Sequence, residues 1–128
     1  MLLFALLLVG CGGDPVDGGI SGTVSLAPDL AERADPDDTV FLFARMPEGP
    51  PMPLAVQRLQ VRDLPASFVL DDSHAMTEMR LSQAERVLIV ARVSKSGMAG
   101  AQPGDLEGRS QVVAPGTAGL EIVIDQAL

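Results

Sequence analysis

The stretch VLIVARVS, Val87 to Ser94, carries the strongest strand signal in the chain, and the fold is read outward from it. A second stretch, TVFLFAR from Thr39 to Arg45, is apolar on both parities, with Phe41 and Phe43 opposite Val40, Leu42 and Ala44. A strand apolar on both faces is a central strand covered on both sides. Upstream of these, Ile20, Gly22, Val24 and Leu26 alternate with Ser21, Thr23 and Ser25, the period of a strand with one wet face. Leu54 and Val56 share one parity and Leu59 and Val61 the other, so a strand there needs a bulge near Gln57-Arg58 to keep its core face. Pro65 ends that strand, and Phe68 to Leu70 resumes extended structure. Downstream, Val112 to Ala114 and LEIVID (Leu120 to Asp125) supply the last strands, with Leu120, Ile122 and Ile124 facing inward. Helical turns are few and brief. One begins near Pro28 in Ala27 to Ala34; another is capped by Asp71-Asp72-Ser73 and runs through Met79; Ser82 with Glu85 fits a further capping box. These elements predict an all-β chain of seven strands in a two-sheet antiparallel sandwich with one or two short helical turns.

Composition bounds what such a sandwich can do. The chain has 128 residues and a mass of 13.4 kDa, room for one domain. Its 17 acidic against 9 basic residues give a formal charge of −8, which repels polyphosphate. With no Trp, no Tyr and 3% aromatic residues, no platform exists on which bases could stack, so no nucleic-acid partner is expected. One Cys permits no internal disulfide, and one His rules out a multi-histidine metal site. A hydrophobic share of 47% is enough for a real core.

The N-terminus begins MLLFALLLVGC, and Met1 to Gly10 would span roughly 15 Å as a helix, half of a hydrocarbon core of about 30 Å. It is therefore read as a targeting segment. Leu8-Val9-Gly10-Cys11 resembles the bacterial lipobox, in which small residues precede a cysteine that is acylated through sulfur and becomes the new N-terminus. The expected organisation is a signal peptide at 1–10, the lipidated Cys11 with a Gly- and Asp-rich tether at 11–19, and the folded domain at 20–128. Acyl chains on Cys11 would hold the protein on a membrane. By resemblance to proteobacterial lipoproteins, Gly12 carries no inner-membrane retention signal, which favours an outer-membrane, periplasm-facing location.

Three segments in order, FARMPEGPPMPLAVQRLQVRDLPASFVLDDSHAM (Phe43 to Met76), VLIVARVSKSGMAGAQPGDLEG (Val87 to Gly108) and GLEIVID (Gly119 to Asp125), resemble the C-terminal immunoglobulin-like periplasmic domain of the c-type cytochrome biogenesis protein CycH, or CcmI. The resemblance covers Ile20 to Ile124. It implies an immunoglobulin-like sandwich and a link to cytochrome c maturation, with a maturation component or apocytochrome c as the envelope partner. In that family transmembrane helices, followed by helical repeats that hold the unfolded apocytochrome, precede the domain. This sequence contains neither, so that chaperone activity does not transfer intact. No catalytic residue and no cofactor is implied; the domain is a binding or assembly module.

The residues leave three function classes: this maturation module, an envelope lipoprotein with an unrelated protein partner, and metal handling. For the first two, the working surface is expected on Lys95 to Asp105 (KSGMAGAQPGD), a polar exit loop longer than a hairpin needs, with Arg92 at its base. Lys95 is the only lysine, Ser96 and Gly97 keep the backbone accessible, and Met98 adds an adaptable apolar contact. For the third, His74, Met76 and Met79 are soft donors close enough in sequence to suit Cu(I), against the plainer role of filling gaps in an aromatic-poor core. Asp35, Asp37, Asp38, Asp71 and Asp72 form no complete EF-hand pattern and read as turn and cap residues. Ser94, Lys95 and Ser96 lack the dry pocket and oxyanion hole that nucleophilic catalysis needs.

Overall fold

The computed structural model describes residues 19–48, 53–75, 80–98 and 100–128. The expected signal peptide, Cys11 and most of the tether lie outside the described residues, as do Met76 and Met79. Eight strands are present among the described residues: β1 (Ile20–Leu26), β2 (Thr39–Arg45), β3 (Pro53–Gln60), β4 (Ala66–Leu70), β5 (Leu88–Ser94), β6 (Leu106–Arg109), β7 (Leu120–Ile124) and β8 (Gln126–Ala127). They form a three-stranded sheet, β4-β1-β7, and a five-stranded sheet, β3-β2-β5-β6-β8. The all-β sandwich expected from the sequence is the fold observed.

Its details depart from the expectation in instructive places. One pairing, β1 with β7, is parallel, so the sandwich is not wholly antiparallel. Val112 to Ala114 is no strand, because only Val113 bridges Val87. The strand count is made up instead by β6 and β8. The chain crosses from one sheet to the other at Asp125, whose amide donates to the Glu107 carbonyl, so β7 belongs to the small sheet and β8 to the large one. Among the described residues the short 3-10 turns are four, not one or two: Pro28–Arg33, Val61–Asp63, Asp72–His74 and Leu81–Gln83. Asp71 caps the third as expected, accepting from the Ser73 amide at 2.9 Å, but that turn ends at His74. Ser82 is not a cap. It lies inside the fourth turn, and its amide and hydroxyl donate to the Asp72 carboxylate at 3.1 and 2.5 Å.

The bulge in β3 is also displaced. Pairing with β2 is continuous from Thr39↔Gln60 to Ala44↔Ala55 and then shifts, so that Arg45 faces Pro53. The extra residue is Leu54, not a residue near Gln57-Arg58. Placed there, the bulge lets Leu54, Ala55 and Leu59 all contribute to the core between the sheets.

That core takes Ile20, Val24, Phe68, Leu70, Leu120, Ile122 and Ile124 from the small sheet and Val40, Leu42, Ala44, Ile89, Ala91, Val93 and Leu106 from the large one. Fully burying each such side chain is worth about 1.5–3 kcal/mol, so this layer supplies most of the stability of a domain without a disulfide. Close approach is built in as well. A Cβ on Gly108 of β6 would sit 2.1 Å from the Val123 carbonyl oxygen of β7, a contact only glycine permits. The other parity of β2 and β5 carries a second, separate apolar cluster of Phe41, Phe43, Leu88 and Val90, with Val56 of β3 packed against it. These side chains lie on the outer face of the five-stranded sheet.

Candidate functional site

Strand register places that outer face on a grid. In one row across the sheet Arg58 of β3 stands opposite Phe41 of β2, which faces Arg92 of β5, which faces Glu107 of β6. The next row reads Val56, Phe43, Val90 and Arg109, and the third reads Pro53, Arg45 and Leu88. An aromatic and aliphatic floor is thus set among four of the chain's eight arginines. Phe41, Phe43, Arg45, Pro53, Val56, Arg58, Val90, Arg92, Gly100, Ala101 and Arg109 line a groove of about 630 Å³ over this floor. The range of ordinary ligand sites includes that volume.

Each guanidinium is held in its own way. Arg58 lies 5.4 Å from the centroid of Phe41 and Arg92 lies 5.3 Å from that of Phe43, both within cation–π range. Arg92 also donates from Nε and Nη2 to Glu107 Oε1 at 3.1 and 2.8 Å, and Arg109 donates from Nε to Oε2 at 3.0 Å. The Glu107 side chain is 3% exposed. Burial pushes its carboxyl up, but the hydrogen bonds and charges of Arg92 and Arg109 outweigh burial and hold it below the usual glutamate range. Neither Arg45 nor Arg58 forms an ion pair with a carboxylate among the described residues, so the β2–β3 side of the groove keeps uncompensated positive charge.

The exit loop after β5 lines part of the groove with Gly100 and Ala101 and is pinned at its root. Asp105 is fully buried, and its carboxylate accepts the amides of Lys95 at 2.9 Å and Gln102 at 3.0 Å. Ser94 donates from its hydroxyl to the Met98 carbonyl at 2.7 Å, and Ser96 accepts the Met98 amide at 3.2 Å. Gly97 turns the chain with φ at 78°. Met98 is left 63% exposed.

Of the residues singled out in the sequence, the structure brings Arg92 into the groove and leaves Met98 on the loop surface, with Ser96 and Gly97 shaping the turn between them. Lys95 points elsewhere. Its Nζ donates to Asp38 Oδ2 at 2.6 Å and to the Arg33 carbonyl at 2.9 Å, tying the exit loop to the turn before β2. His74 accepts the Asp71 amide on Nδ1 at 3.2 Å, closing a reciprocal cap. Hydrogen bonds from Ser73 and from Ser82 hold the carboxyls of Asp71 and Asp72 below the ordinary aspartate range. Asp37 pairs with Arg62. The residues that sequence reasoning missed are Arg45, Arg58, Arg109, Glu107 and Asp105. The signal was present for one of them: Arg45 shares the parity of Phe41 and Phe43 within β2, which sets a charge on the same face as two phenylalanines.

Residues 20–125 match the family of the cytochrome c-type biogenesis protein H Ig-like domain. The chain belongs to this family. Over 88 residues, 66% of the chain, it is 46% identical to the cytochrome c-type biogenesis protein CycH of Pseudomonas aeruginosa, of which it spans 22%. It therefore covers about a fifth of that CycH relative. It is also 31% identical over 107 residues to an uncharacterized protein of Aquifex aeolicus, covering 84% of this chain and 70% of that one. No solved structure matches. A relation to c-type cytochrome biogenesis follows from the CycH family. No helix among the described residues is long and apolar enough to cross a membrane.

Proposed function

We propose that the chain is a non-enzymatic binding module of the bacterial envelope, anchored by lipid on Cys11, facing the periplasm from the outer membrane, and serving c-type cytochrome maturation. The observation that carries this reading is the groove: an apolar floor, arginines on four strands and a pinned loop along its edge make a surface for holding a partner. Family membership supplies the context, and a maturation component or apocytochrome c is the partner it favours. In this reading Arg92 and Met98 face the partner, Ser96 and Gly97 set the loop's shape, and Lys95 fixes its position.

A photo-crosslinking amino acid placed at position 98 or 101 in cells tests the surface. Capture of a cytochrome c maturation protein or apocytochrome at these positions, and not at Val123 on the opposite sheet, is the expected result. Equal capture at all three positions, or none, sinks the proposed surface. The anchor is tested separately: Cys11→Ser should release the protein from membranes, and an intact mass without acyl chains on Cys11 would refute it.

A further inference from the structure

The groove's grid carries an inference about what it binds, resting on the reading above. We propose that the groove takes an extended peptide segment whose side chains run acidic, apolar, acidic at alternate positions. Along β2 the rows of the grid recur every second residue, the repeat at which an extended peptide presents side chains on one face. Arg58 stands in the Phe41 row and Arg45 four residues further along β2, about 13 Å away at about 3.4 Å per residue. The Val56, Phe43 and Val90 row lies between them. A peptide laid along β2 therefore sets a carboxylate at position i against Arg58, an apolar side chain at i+2 over Val56, Phe43 and Val90, and a second carboxylate at i+4 against Arg45.

Charge distribution argues for this occupant. In a chain of net charge −8 a cluster of arginines is conspicuous, and Glu107 answers only Arg92 and Arg109. Arg58 is held 5.4 Å from the Phe41 centroid, and a guanidinium is a group that can take a carboxylate through two parallel hydrogen bonds. Pro53 in the β3 row and Gly100 and Ala101 of the exit loop complete the lining of the groove. The same spacing occurs at the end of β7, where Glu121, Val123 and, just beyond the strand, Asp125 are exposed, but Glu121 and Val123 belong to a strand already paired in a sheet.

The test uses the full-length chain and fluorescein-labelled peptides read by anisotropy. The first peptide is Gly-Asp-Ser-Leu-Ser-Asp-Gly. The second, Gly-Ser-Asp-Leu-Asp-Ser-Gly, has the same composition with its carboxylates on the opposite face from leucine, and a third replaces both aspartates by asparagine. The first should bind at least about tenfold more tightly than either control, the scale of one charge-assisted hydrogen bond. Arg45→Gln and Arg58→Gln should each weaken it about tenfold with the thermal midpoint unchanged, and the affinity should fall with added salt. Equal binding of the two isomeric peptides overturns the proposal, as does unchanged binding by folded arginine variants. Self-association that Arg45→Gln abolishes and the peptide does not inhibit assigns the groove to a second copy and also overturns it. Partner capture at position 98 without peptide binding removes this ligand class and leaves the module reading standing; peptide binding without partner capture does the reverse.

Discussion

The two faces of the five-stranded sheet are made by the same residues of β2 and β5 taken alternately, and they differ in kind. Inward, Val40, Leu42, Ala44, Ile89, Ala91 and Val93 meet the small sheet and carry no polar side chain. Outward, Phe41, Phe43, Leu88 and Val90 are nearly as buried, yet they share their face with Arg45, Arg92 and, from neighbouring strands, Arg58, Arg109 and Glu107. The burial of the inner face is explained by the opposing sheet. On the outer face Val56 packs against the cluster, and the guanidiniums of Arg58 and Arg92 lie against Phe41 and Phe43. Burial alone therefore does not separate a core from a site; what separates them is the company of charge at the same strand parity.

The largest test of this contrast is truncation on either side of β2. Leu42→Ala should cost about 3–5 kcal/mol, because the rigid interface of two sheets cannot collapse onto the void. Phe43→Ala removes more volume but should cost only about 2–3 kcal/mol, since Arg92 and water can refill an open groove. Urea unfolding of both variants checks this. Equal costs, or a larger one for Phe43, would mean that the outer cluster is as much a structural core as the inner one.

A middle-sized effect belongs to Glu107, the charge that makes the outer face tolerable to bury. Glu107→Gln leaves Arg92, 11% exposed, without its carboxylate and should cost about 2–3 kcal/mol, less than a fully buried pair because Arg109 is half-exposed. The sign of the pH dependence follows from the lowered pKa. The folded state binds the Glu107 proton more weakly than the unfolded state, so the stabilisation is complete above the ordinary glutamate pKa and is lost as pH falls through the lower, folded value. Stability measured from pH 7 down to pH 3 should thus fall less steeply in Glu107→Gln than in the parent chain. An identical acid limb in both would remove Glu107 from the account.

How far the sequence discloses these two faces depends on what marks them. Alternation in Ile20 to Leu26 and in LEIVID, and the double apolar parity of TVFLFAR, follow directly from burial, and each is a strand with the expected inward residues. Strand β6 escapes because LEGR offers two charges and a glycine in four residues, a pattern normally left to loops. It is a strand because Glu107 finds Arg92 on β5 and Arg109 two residues on, and because Gly108 admits the β7 backbone. Those are partners distant in sequence, invisible to local periodicity. The site divides in the same way. Arg92 and the exit loop are legible from position and composition, whereas Arg45 and Arg58 become meaningful only once register sets them about one apolar row apart from each other. Lys95, conspicuous as a lone lysine, has a tertiary role fixed by Asp38, which lies 57 residues earlier.

The smallest expected effect concerns that lysine and sharpens the line between holding the loop and touching a partner. Lys95 is about one-third exposed, and its ion pair with Asp38 is open to solvent screening. Lys95→Met keeps the stem while removing the charge, so it should cost no more than about 1 kcal/mol, and the difference should shrink further in high salt. Lys95→Glu is a different perturbation, because it sets a third carboxylate beside Asp35 and Asp38 and should destabilise more than Lys95→Met in low salt. Crosslinking from position 98 then decides the role. If Lys95→Met preserves capture while Met98→Ser weakens it, Lys95 positions the loop and Met98 meets the partner. If Lys95→Met abolishes capture at unchanged stability, the ammonium itself contacts the partner, and the working surface extends from the groove round to the Asp35–Asp38 turn.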